Sequence, residues 1–311
     1  MQLLTKNVTR LIKFTYGLCM KLIPNFNLIK NVVNPSVFSA AQCDSLFNAL
    51  LLHDEVNLET SLPIPSHESY TQEQLNEYFQ LSHQLWRDGL SRLLLQEMIE
   101  KIYCQGQLDA DDKHTFYCMR AKIKHLRYAF LMFDKNHRYP LMFHWMAAAM
   151  GYMQDLLKSS QHSSVKHAAI LVKFFLTKPI YALLIKKFDK FIPSSPENFR
   201  QYLDDSIGFI NSKLIKDRLT SHEFHEVRRV ISRFVTFYNC IYILYPDDYQ
   251  HAVLLYLRTI NGLMGSVHDD LIIASFNKKQ NYNKDTFEMP VEIKRRLIAY
   301  VAFYKIQANL S

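Results

Sequence analysis

Glycine is scarce, with seven in 311 residues, and proline is modest at ten. Tight hairpins depend on positive φ, which glycine supplies, so this scarcity argues against a many-stranded β architecture. The five cysteines are Cys19, Cys43, Cys104, Cys118 and Cys240; they are widely spaced and include no C-x-x-C. Such a set builds no disulfide framework, and a reducing, cytoplasmic setting is expected. No apolar run reaches the roughly 18 residues of a membrane span. No P-loop and no G-x-G-x-x-G occurs. His222-Glu223-Phe224-His225-Glu226 fails the zinc-protease pattern, because Glu226 stands where the second histidine belongs. Asp109 to Asp112 lack the glycine and terminal glutamate of an EF-hand and read as a solvated helix start. Asp204-Asp205 and Asp269-Asp270 lack the third acid of D-D-x-x-D. No catalytic residue, metal ligand or cofactor is assigned, and a non-enzymatic protein is expected.

What remains is an all-α signature. Hydrophobic residues make up 49% and charged residues 21%, which suits a globular chain. Lysine and arginine number 37 against 29 acids, a net charge of +8. The excess is concentrated. Arg120 to Lys190 holds 13 basic residues and three acids (Asp134, Asp155 and Asp189), a local +10. Such a field attracts nucleic acid, anionic lipid or phosphate polymers.

In chain order, residues 1–24 predict a basic amphipathic helix stopped by Pro24. It either packs on the body or makes peripheral contact with a membrane surface. Asn34-Pro35 predicts the start of a second helix, running to about Leu52. Residues 53–70, with Pro63 and Pro65, read as a linker, so 1–70 is an extension. Thr71 to Gln74 fit a capping box opening one long helix that ends near Gly106. Helices are expected next over about 110–133, 140–158, 163–177, 179–192, 195–219, around His225, around Gly265, and from about Pro290. Met142, Met146, Met150, Met153 and Trp86 read as core.

The informative stretch runs from Tyr117 to Arg127. At 100° per residue, Met119, Ile123, Leu126, Phe130 and Phe133 form an apolar stripe. Arg120, Lys124 and Arg127 form a basic stripe beside it, with no acid to pair them. The apolar stripe, with the first of the cations, recurs 108 residues later. Val227, Ile231, Phe234, Tyr238 and Ile241 repeat the apolar stripe, and Arg228 answers Arg120. Gly151 to Asp155 and Gly265 to Asp269 are both G-x-x-x-D, at an offset of 114. The repetition implies two helical half-domains, over about 71–192 and 193–311.

The unit H-x-x-R-x-x-x-[KR]-[KR]-L-R followed by G-x-x-x-D resembles the CHAD (conserved histidine α-helical domain) family over roughly residues 71–311. The resemblance implies two pseudo-symmetric four-helix bundles facing a basic central cavity that binds inorganic polyphosphate. In the first copy, Arg120, Lys124, His125 and Arg127 match, and Tyr117 replaces the histidine. In the second, His225, Arg228 and Arg233 match, while Ser232 and Val235 replace basic residues. The E-x-E-x-K triphosphatase domain that often accompanies the family is absent. Lys166 and Lys173, seven residues apart, extend the basic wall. Lys122 and Arg229 read as solvated, and Asp155 and Asp269 as structural. The expected ligand is polyphosphate or another polyanion, with nucleic acid as a competitor. A degenerate helical scaffold for protein–protein interaction is the alternative.

Overall fold

The computed structural model describes residues 37–158, 162–277 and 279–310. The basic helix expected over residues 1–24, with its membrane-surface alternative, and the Asn34-Pro35 helix start lie outside the described residues. Among the described residues the protein is all-α, with eleven α-helices and a single two-residue strand pair, Leu219–Thr220 with Thr286–Phe287. No single described helix is long and apolar enough to cross a membrane.

The helices begin where side chains can satisfy their free N–H groups. Ser39 and Thr71 form capping boxes with Gln42 and Gln74, opening α1 (Ala40–Leu51) and α2 (Gln72–Gly89). The single helix expected from Thr71 to Gly106 is two. It breaks after Gly89, and the Ser91 side chain caps α3 (Arg92–Gln105), which ends on Gly106 in the left-handed region, φ 74°. Asp109 caps α4 (Ala110–Phe133). Then come α5 (Leu141–Lys158), α6 (His162–Leu176), α7 (Lys178–Lys186) with proline in its first turn, and a 3-10 turn, Phe188–Lys190. Ser195 caps α8 (Pro196–Leu214), and Thr220 forms a capping box with Glu223 at α9 (Ser221–Leu244). Asp247 caps α10 (Asp248–Phe276), and α11 (Val291–Asn309) closes the described chain.

The two helices with matching stripes, α4 and α9, are each 24 residues long. All ten stripe positions are at most 5% exposed, and they belong to one continuous hydrophobic core. Burying a side chain of this kind contributes about 1.5–3 kcal/mol, so the stripes alone fix how α4 and α9 face. α4 packs on α2, α5 and α9, while α9 packs on α10, α1, α2 and α4. Met146, Met150, Met153 and Trp86 are buried, with Trp86 5.0 Å from Phe188, ring to ring.

Residues 53–60, read from sequence as linker, are built into the fold as a strap. The Arg296 guanidinium, 1% exposed, donates to the Leu58 carbonyl (2.5 Å) and to the carbonyl and Oγ1 of Thr60 (both 3.1 Å). The Asn57 N–H donates to Thr259 Oγ1 (3.2 Å), which donates to the Asn57 carbonyl (3.0 Å). The Asn261 amide donates to the His53 carbonyl at 2.9 Å. These contacts satisfy the His53, Asn57, Leu58 and Thr60 carbonyls and pin an irregular, largely exposed segment to the helices beneath it. α1 adds Leu46 and Leu50 to the core.

Candidate functional site

Arg120 on α4 and Arg228 on α9 are seated in the same way. Each guanidinium lies across a glycine of a neighbouring helix. A Cβ added to Gly151 of α5 would come within 3.1 Å of Arg120 Nη2, and one on Gly265 of α10 within 2.9 Å of Arg228 Nη2. The glycine of each G-x-x-x-D motif therefore leaves room for an arginine. The aspartates serve the same neighbourhood. Burial pulls the Arg120 guanidinium below its ordinary pKa, and the Asp155 charge acts against that. Asp269 accepts from Lys158 at 2.7 Å and lies 3.6 Å from His268 Nδ1. His268 and Lys158 together hold its carboxyl well below the usual range.

Between these helices lies a cavity of about 580 Å³. α4 contributes Tyr117, Arg120, Lys124, Arg127 and Tyr128; α9 contributes His225, Glu226, Arg228, Arg229 and Ser232. α5 and α10 close the sides with Asp155, Lys158, His268 and Asp269, and the strap adds His53 and Asp54. Six lining cations meet four lining carboxylates. Two of the cations are spoken for by ion pairs: Arg229 with Glu226 at 2.7 Å and Lys158 with Asp269. The Nε atoms of Arg120, Arg127 and Arg228 are buried and meet no hydrogen-bond acceptor among the described residues. Leaving a buried donor unpaired costs about 1–3 kcal/mol, more for charged groups, so these guanidiniums hold uncompensated positive charge that the field of a nearby anion would offset.

The electrostatics of the interior follow from crowded positive charge. Burial, reinforced by Arg228 and Arg120, brings the Lys124 ammonium down to about 8. Its Nζ lies 3.4 Å from His53 Nε2, and His53 Nδ1 lies 2.7 Å from the Leu50 carbonyl. The geometry fits a neutral imidazole donating from Nδ1 and accepting at Nε2. Burial and the Lys124 charge push the His53 pKa down to about 2. His225 stacks on His268, 4.4 Å between centroids, and burial with the neighbouring His268 and Arg229 takes it to about 2 as well. Burial would raise the Tyr128 phenol. Lys124, Arg127, Arg229 and Arg233 overcome that and bring it to about 7. Its ring lies 5.2 Å from the Arg127 guanidinium and 5.7 Å from Lys124 Nζ.

Of the residues expected from sequence, Arg120, Lys124, His125, Arg127, His225 and Arg228 border the cavity. His125 is already engaged, with Nε2 3.0 Å from Ser82 Oγ and 2% exposure. Three expected residues lie elsewhere. Arg233 turns its guanidinium over the Tyr202 ring, 5.6 Å from the centroid. Lys166 donates to the Cys104 carbonyl (3.2 Å), and Lys173 pairs with Glu100 (2.5 Å) on the outer face of α6. Spacing along α6 places those two lysines on one face but does not say that the face turns outward. Two residues read as solvated are not. Arg229 lines the cavity, and Lys122 donates to the Gly89 carbonyl (2.6 Å) over the Phe47 ring. Tyr128, Lys158, His268 and the strap's His53 were missed. Tyr128 is the one with a readable signal: it directly follows Arg127, four residues after Lys124.

No family model matches the chain, and no curated protein or solved structure is similar enough to count as a match.

Proposed function

We propose that the protein binds inorganic polyphosphate or a similar phosphate-rich polyanion in this cavity, without turning it over. One observation carries the reading: five cations from two matching helices, Arg120, Lys124, Arg127, Arg228 and Arg229, line one cavity. The three arginines with unpaired buried Nε atoms strengthen it. Phosphate oxygens match guanidinium geometry, and a polymer of phosphates offers no bases to read, so clustered arginine suffices. The resemblance to the CHAD family points the same way. The two arginine–glycine seats, at the sequence offsets 108 and 114, support two pseudo-symmetric helical halves facing a basic cavity.

The test is direct titration with polyphosphate and with duplex DNA over a salt series. Polyphosphate is expected to bind more tightly than DNA and to weaken steeply with salt as counterions are released. Equal affinity for both polymers would favour generic polyanion binding at the protein surface. Absence of polyphosphate binding at low salt would refute the reading.

A further inference from the structure

The strap bears on the ligand's length. At an offset of 108, the counterpart of Lys124 is Ser232, where the second wall lacks its cation. Ser232 is 6% exposed and donates to Asn261 Oδ1 at 2.6 Å. The same Asn261 side chain holds the His53 carbonyl at 2.9 Å. The position that would carry a second ammonium is thus used to fasten the strap.

Gly262, one residue further on, shows how closely the strap lies. A Cβ there would fall 2.2 Å from the Asp54 carbonyl oxygen and 2.7 Å from Val56 Cγ2. Only glycine permits that backbone approach. On the cavity side, the largely buried His53 engages Lys124; the Asp54 side chain beside it is 44% exposed. The strap thus brings a neutral imidazole and a carboxylate to the lining of a basic cavity, and these disfavour the passage of phosphate where the strap lies. The volume, about 580 Å³, lies in the range of sites that hold small molecules.

We propose that the strap closes one end of the cavity, so that the site takes a short run of phosphates and no chain threads through it. The run is a free oligophosphate or the terminus of a longer chain. This rests on the polyanion reading above and narrows it.

The experiment uses the full chain with tripolyphosphate and with long-chain polyphosphate of several defined lengths, reading affinity by calorimetry and stoichiometry by sedimentation. Tripolyphosphate is expected to bind within about threefold of the long chain's affinity counted per chain end. Long chains are expected to saturate at one protein per end, whatever their length. Stoichiometry that rises in proportion to chain length, with tripolyphosphate binding about thirtyfold more weakly or worse, would overturn the closed end while leaving polyanion binding intact. No binding of either ligand would overturn the polyanion reading and this one with it. Gly262→Ala provides the converse. Its methyl group meets the Asp54 carbonyl and displaces the strap, seen as faster hydrogen exchange at residues 53–60, and stoichiometry then grows with chain length. A released strap with unchanged one-per-end stoichiometry would also refute the proposal.

Discussion

The walls contributed by α4 and α9 start from the same pattern and end differently. On α4, Arg120, Lys124 and Arg127 all face the cavity. On α9, Arg228 keeps the seat over glycine that Arg120 has, but the place of Lys124 is taken by Ser232. From sequence this reads as erosion. In the structure Ser232 belongs to a buried chain of hydrogen bonds, Ser232 to Asn261 to the His53 carbonyl, so the second wall exchanges a charge for a fastening. Arg229, one residue past Arg228, restores part of the lost charge, though Glu226 pairs with it. The comparison teaches that the arginine–glycine seat is the shared feature of the two walls, and that the lysine position is where they part.

The largest effect should come from removing what the walls share. Arg120→Glu with Arg228→Glu reverses both seated charges and should weaken polyphosphate binding by about a hundredfold or more, measured by calorimetry. Lys166→Glu with Lys173→Glu, on the outer face of α6, should change it little, because exposed pairs contribute about 0–1 kcal/mol. Next comes the position where the walls differ. If Ser232 were merely a lost cation, Ser232→Lys would raise affinity at no cost. The strap predicts instead a loss of about 1–3 kcal/mol of stability in urea denaturation, as Asn261 loses its donor and an ammonium is buried. Smaller again is the effect at the seats. Gly151→Ala and Gly265→Ala each displace the flexible end of an arginine, so binding should weaken a few-fold. Folding stability should hold or rise by up to about 1 kcal/mol from better helix propensity. A parallel loss of stability and binding at either glycine would contradict the seat.

The smallest effect is on pH dependence. Folded Tyr128 and Lys124 titrate near 7 and 8, against ordinary values of 10.0 and 10.5. Between those limits the unfolded chain holds more protons, so these groups make stability rise with pH from about 7 to 10. That contribution is lost as pH falls through the folded values. A bound anion favours charged Lys124 and neutral Tyr128, so binding near pH 8 should take up protons. Calorimetry in buffers of different ionisation enthalpy measures that uptake.

The helices and their buried faces were legible because a period of 3.6 residues fixes which side chains share a side. Met119 to Phe133 and Val227 to Ile241 needed nothing more. The arginine–glycine seats were legible only as a repeated spacing, since sequence shows the two motifs but not that they touch. The strap was not legible. Residues 53–60 have no periodicity, and their partners Thr259, Asn261 and Arg296 lie some 200 residues away and bind backbone carbonyls, which every residue offers. Arg229 was misread because one step along a helix turns a side chain by 100°, and the cavity is wide enough to include that step. The break at Gly89 was hidden by an apolar pattern that continues on both sides of it.

Tyr128 gives the most direct test that the anion enters the cavity. Burial holds Tyr117, Tyr202 and Tyr282 above their ordinary value despite nearby arginines, whereas at Tyr128 the cations win, so near pH 8 it supplies a tyrosinate absorbance from inside the site. Titrating polyphosphate into the protein at that pH should reduce this absorbance in step with binding, as phosphate competes for the same cations. Tyr128→Phe should bind without the spectral change. Saturable polyphosphate binding that leaves the tyrosinate signal of the unaltered protein untouched would place the polyanion elsewhere and contradict the account.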